Sequence, residues 1–134
     1  MSSGGTSDPP DSFAFADLLG LDLRDVDEAP GESDATVRLV ADDRHLNVGG
    51  VVHGGVIATM LDTAMGRAVR EVTDEKTATS QLTVTYLDPA KPGLLVATAR
   101  VRKRGSALTV VEAEVEQDGE PVAHALATFA LLKR

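Results

Sequence analysis

Apolar positions recur along the chain with two different periods, and the change of period divides it. Between residues 56 and 72 they fall at 56, 57, 60, 61, 64, 65, 68, 69 and 72. Steps of one and three alternate, which keeps these side chains on one side of a 3.6-residue helix. The spacing predicts a long amphipathic helix over Val56–Val72, with Arg67, Arg70 and Glu71 off the apolar stripe. Elsewhere the period drops to two. Ala35, Val37, Leu39 and Ala41 alternate with Thr36 and Arg38, which predicts a strand over Ala35–Ala41. Four longer strands are predicted at Thr77–Leu87, Leu94–Arg104, Ala107–Gln117 and Pro121–Leu132.

The separators are turn chemistry: Asp88–Gly93, Gly105-Ser106 and Asp118-Gly119, the last two reading as hairpins. Long strands with short links predict an antiparallel meander, not a parallel sheet with crossovers. The stripe on the helix is wide enough to need a sheet as its cover. The predicted plan is therefore α+β, one long helix wrapped by a curved antiparallel sheet of about five or six strands. Ahead of it, Phe13–Leu19 predicts a short helix capped by Ser12, stopped by Gly20 and docked on the core by its two Phe. Met1–Asp11 is rich in Ser, Gly, Pro and Asp and reads as a disordered tail, leaving 12–134 as a single domain.

Composition narrows this picture. Apolar residues make up 43% of the chain but aromatic ones only 3%, so the core must be aliphatic. The absence of Cys excludes disulfides, thiolate zinc sites and a cysteine nucleophile. A net charge of −8 disfavours nucleic acid as a partner, because binding a phosphate backbone needs a positive face. No apolar run approaches the roughly 18 residues of a membrane span, and no signal-peptide pattern is present, so a cytoplasmic protein is expected. Dinucleotide-binding, P-loop, His-Glu-x-x-His and Gly-x-Ser-x-Gly motifs are all missing, and His45, His53 and His124 lack metal-ligand spacing.

The candidate chemistry lies where the glycine turn His45-Leu-Asn47-Val-Gly-Gly-Val-Val-His53-Gly54-Gly55 enters the long helix. Free N–H groups at the positive end of a helix dipole stabilise an anion, or a carbonyl oxygen becoming one. Gly54 and Gly55 could simply let the chain turn, yet His-Gly-Gly also leaves the first amide unguarded. His53 could touch substrate but better suits a structural role, locking the turn by donating to a backbone carbonyl, and Asn47 suits either a turn or a hydrogen bond to substrate or water.

Asp62 interrupts the apolar stripe, with small Ala58 and Gly66 one turn to either side and no Lys or Arg four residues away. Arg67 is expected to face elsewhere. Such an Asp can simply be solvated at the edge of the stripe, whereas a groove beside a carboxylate suits general-base or nucleophilic work. Gly54 and Asp62 are eight residues apart, about 12 Å along a helix axis, too far to act on one carbonyl from a single chain. If both act on one substrate they come from two chains, which entails a homodimer with two equivalent sites. Arg100, Arg102 and Arg104 are expected to share a strand face. With Lys91 in the preceding turn they form either a solvated face or a mouth for coenzyme A phosphates.

The series Asn47-x5-His53-Gly54-Gly55-x6-Asp62, followed by Thr83-Val-Thr-Tyr86-Leu-Asp-Pro89, resembles the hotdog-fold acyl-CoA thioesterases. The likeness is to the PaaI-like and 4-hydroxybenzoyl-CoA thioesterase type and covers about residues 35–132. It implies a hotdog domain in which Gly54 N–H polarises the thioester carbonyl and Asp62 of the facing subunit attacks or activates water. It also implies that Asn47 orients water or the carboxylate, that His53 shapes the oxyanion site beside Gly55, and that Thr79 stands where some members carry a Ser. Some relatives have a hydroxyl one turn after the carboxylate, where Gly66 stands here, so that role would pass to Thr63 or Thr79. The resemblance further implies a dimer of dimers with shared sites and an aromatic or medium-chain acyl-CoA as substrate, without a cofactor. Two other functions fit less well: a hotdog hydratase or dehydratase of enoyl thioesters, and a non-catalytic acyl-CoA-binding protein.

Overall fold

The computed structural model describes residues 14–24 and 34–132. The element order is α1 (Ala14–Leu19), β1 (Ala35–Ala41), a short 3-10 turn (Asp43–His45), α2 (Gly54–Arg70), β2 (Thr77–Tyr86), β3 (Gly93–Arg104), β4 (Leu108–Gln117) and β5 (Glu120–Leu131). The 1–11 tail and the proposed Ser12 cap lie outside the described residues.

All five strands form one antiparallel sheet in the order β1-β3-β4-β5-β2. The predicted meander holds only for β3, β4 and β5. β2 pairs with β5 rather than with β3, so the chain crosses the sheet between β2 and β3. The β4–β5 hairpin turns at Asp118 (φ 53°) and Gly119 (φ 80°), the two left-handed residues that an Asp-Gly turn supplies.

The sheet wraps α2. The helix buries Val56, Ile57, Met60, Leu61, Ala64, Met65, Ala68 and Val69, which is the predicted stripe without Val72. Burying one Leu or Met of this kind contributes about 1.5–3 kcal/mol. Opposite them the strands present Leu39, Leu95, Ala97, Val111, Val115, Ala125 and Ala127, so the core is aliphatic, with Phe129 as its one buried Phe, Tyr or Trp among the described residues.

The two edges of the sheet differ. β1 is covered by residue 22, whose N–H donates to Arg38 O (2.7 Å) and whose O accepts from Arg38 N–H (3.1 Å). Asp22 is itself fixed by Arg24, whose hydrogen bonds pull its carboxyl down to about 2. β2 carries no charged residue and no Pro, and none of the described strands covers its outer edge.

Candidate active site

The start of α2 is built by its own sequence. His53 is the N-cap, and its Nδ1 accepts from Gly55 N–H at 2.8 Å. The ring therefore locks the turn, but as an acceptor of an amide rather than as a donor to a carbonyl. His53 O accepts from Val56 N–H (2.9 Å). Gly54 N–H is thereby left as a first-turn amide with no hydrogen-bond acceptor among the described residues. Upstream, Asn47 Oδ1 accepts from Gly49 N–H (2.8 Å) and Val51 N–H (3.3 Å), the turn-holding role. Buried His45 accepts from Asp42 N–H at Nδ1 (2.9 Å), so its Nε2–H donates to Leu19 O (2.7 Å). His45 O in turn accepts from His53 N–H at 2.7 Å, which ties the cap to the core.

Tyr86 was not singled out from the sequence and proves central to this end of the helix. Its hydroxyl donates to Gly54 O at 2.7 Å. Its ring lies so close that a Cβ on Gly54 would meet it at 3.2 Å. The independent signal was present in the Thr83-Val-Thr-Tyr86 strand end, but nothing in the sequence tied it to Gly54. A cavity of about 350 Å³ opens here between Gly54, Ile57, Tyr86 and the Leu87–Ala90 segment.

Eight residues along α2, the Asp62 carboxylate accepts from the Thr79 hydroxyl at 2.7 Å. Both residues line a second cavity, of about 360 Å³, with Phe15, Thr63, Gly66, Ala78 and Phe129. No residue lines both cavities. Two expectations are corrected in this region. Phe15 is 58% exposed and lines the cavity instead of docking in the core; Ala16 is the buried residue of α1. Arg67 does not face elsewhere: it lines the Asp62 cavity, with Nη2 donating to Leu23 O at 2.7 Å. Gly55 lines neither cavity, and its amide donates to His53 Nδ1.

Strand bulges decide which side chains reach the helix. β2 shifts register between Thr79, opposite Phe129, and Gln81, opposite Thr128. Ser80 is the extra residue, and its hydroxyl bonds Thr128 Oγ1 at 2.6 Å. Thr79 and Tyr86 are seven residues apart and would point to opposite faces of a regular strand. The bulge turns both towards α2.

β3 bulges between Val101 and Lys103, with the opposite consequence for the basic run. Arg100 pairs with Glu112 on the outer face, whereas Arg104 pairs with buried Thr109 on the helix side. Arg100, Arg102 and Arg104 thus do not share a face. Arg104 Nε donates to Val72 O (2.7 Å) beyond the end of α2, and Arg102 pairs with Glu112 (3.3 Å). Lys91 stands before the far end of β3, a strand of twelve residues and so roughly 35–40 Å long. Within one chain these cations do not converge.

A spare amide at a helix start and a hydroxyl-bound carboxylate in a cavity wall suit attack on an activated carbonyl. The fold that carries them, one helix wrapped by an antiparallel sheet, is the hotdog. The chain belongs to the Thioesterase superfamily, whose family model matches residues 49–124. It is a thioester hydrolase of PaaI-like type. A candidate esterase of Halobacterium salinarum is 35% identical over 112 residues, which cover 78% of this chain and 71% of that protein. Among solved structures, a candidate thioesterase of Ralstonia eutropha, related to phenylacetic acid degradation, superposes with TM-score 0.78. It is 35% identical and the match covers 95% of this chain and 94% of that one. A Bacillus halodurans protein solved with CoA superposes with TM-score 0.85 at 29% identity, covering 94% of this chain and 83% of that one.

Proposed function

We propose that this chain hydrolyses acyl-CoA thioesters with an aromatic or medium-length acyl group, using Asp62 as its catalytic carboxylate. The observation that carries the reading is the Asp62–Thr79 pair set in the wall of a cavity that Phe15, Ala78 and Phe129 line together with Arg67 and Arg70. Water adds to the carbonyl carbon, the C–S bond breaks, and the products are a free acid and the CoA thiol. Asp62 either takes a proton from the attacking water or attacks the carbon itself. Negative charge gathers on the carbonyl oxygen, where Gly54 N–H and the helix dipole stabilise it. Thr79 holds the carboxylate in place. His53 Nδ1 is committed to Gly55 N–H, so this ring serves the turn at the helix start.

The site is completed by a second copy of the chain. Gly54 and Asp62 open into separate cavities of one protomer. A ten-residue edge strand with neither charge nor Pro is an unprotected pairing edge, and β2 is one. Two β2 strands pairing antiparallel about Leu82–Thr83 would lay Thr79 of one chain opposite Tyr86 of the partner subunit. That brings each Asp62 towards the helix start of the partner. Lys91, next in the chain to Ala90 of the Gly54 cavity, is the cation assigned to the CoA phosphates. A cytoplasmic location fits this substrate, and among the described residues no helix is long and apolar enough to cross a membrane.

Thiol release measured across a panel of acyl-CoA esters tests the reading. Wild type should turn over aromatic or medium-chain esters, and Asp62→Asn should lose about a thousandfold in kcat with its sedimentation unchanged. Wild-type turnover by Asp62→Asn, or full activity of a monomer, would refute it.

A further inference from the structure

Gly66 lies one helical turn beyond Asp62, in the wall of the same 360 Å³ cavity. Nothing in the fold asks for glycine there. Its backbone is ordinary α-helix and it is not among the residues with positive φ. A Cβ built on it would meet only the Phe129 ring, at 3.6 and 4.0 Å, which is ordinary van der Waals contact. Gly54 is different, since a Cβ there would press on Tyr86 at 3.2 Å. Glycine inside a helix is also the destabilising choice relative to alanine. A residue that weakens the helix, is required by neither backbone nor packing, and lines the cavity beside the carboxylate is accounted for by the space it leaves.

We propose that Gly66 is the acyl-specificity position of this enzyme. The acyl group runs along α2 from the carbon attacked at Asp62 and lies on the bare Gly66 backbone, with the Phe129 ring as the neighbouring wall and Phe15 at the opening. The site therefore takes bulky acyl groups, a ring or a medium-length chain, and gains little from acetyl. This rests on the reading of Asp62 as the catalytic carboxylate. Gly66 touches substrate and takes no part in the bond-making step.

The test compares wild type, Gly66→Ala and Gly66→Val on acetyl-CoA, hexanoyl-CoA and phenylacetyl-CoA, reading kcat and KM by thiol release and the melting temperature of each protein. Gly66→Ala should melt at the wild-type temperature or above it. Its kcat/KM should fall about tenfold on the two bulky esters, mainly through KM, and stay unchanged on acetyl-CoA. Gly66→Val should widen that gap, and Gly66→Ala alone decides the matter if the valine variant does not fold. An equal fall on all three esters, or no fall on the bulky ones, would overturn the assignment of Gly66 while leaving Asp62 untouched. Failure of the catalytic reading looks different: wild type then releases thiol from none of the three, or Asp62→Asn matches it.

Discussion

The two halves of the site sit on one helix and are built on opposite principles. At the N-terminal end every group around Gly54 is engaged: His53 on Gly55 N–H, Tyr86 on Gly54 O, Asn47 on its own turn, His45 on Leu19 O. There is no room for even a methyl group at Gly54 without pressing on Tyr86. Two turns further on, Asp62 is held by one hydroxyl, and a methyl group would fit at Gly66. An amide that stabilises a developing charge must be fixed before the charge appears, because any reorganisation during the reaction subtracts from the gain. A place that receives an acyl chain must instead be left unfilled. Packing density along α2 thus separates the group that meets the oxygen from the surface that meets the substrate's body.

Substitutions at each end should break this contrast in different ways. After Asp62→Asn, the largest effect belongs to Gly54→Ala. It keeps the N–H but pushes the Tyr86 ring and the helix start apart, so kcat should fall about a hundredfold while the melting temperature moves little. Unchanged kcat in that variant would mean that the amide needs no such close fixing. Next comes Thr79→Val, which removes the one donor to the Asp62 carboxylate among the described residues. A hydrogen bond to a charged group contributes about 1.5–3 kcal/mol, so kcat should drop at least about tenfold with KM nearly constant. Thr79→Ser, which restores the hydroxyl, should recover most of it; no recovery would assign the loss to packing instead. Smallest is Tyr86→Phe, which keeps the ring against Gly54 and deletes only the bond to Gly54 O. At about 1 kcal/mol this predicts roughly a fivefold fall in kcat. A loss as large as that of Gly54→Ala would place the hydroxyl, and not the ring, at the centre of that end.

Much of the fold is legible in the residues. β1 is observed where alternation places it, at Ala35–Ala41, and the other strand ends move by no more than a residue or so. α2 begins two residues earlier than its apolar stripe, because Gly54 and Gly55 carry no side chain to register in a hydrophobic period. The distance argument that separates Gly54 from Asp62 needed only the helical rise, and their two cavities are indeed distinct.

Other features were beyond reach of any local pattern. The pairing of β2 with β5 depends on how the sheet closes round the helix. Phe15 lines the Asp62 cavity while its neighbour Ala16 is the residue of α1 that is buried, a choice no local pattern records. The bulges at Ser80 and Arg102 mattered most. One inserted residue reverses the facing of everything after it, which joins Thr79 and Tyr86 to the helix and removes Arg104 from the face of Arg100.

What the chain determined by itself is what depends on near neighbours: the helix and its stripe, the glycine turn, the capping histidine, the position of a carboxylate among small residues. Tertiary structure alone decided which side of a strand each later residue faces and which edge is left bare. Register and strand order are set by contacts between residues far apart in the chain, and a period of two carries no record of where it slips.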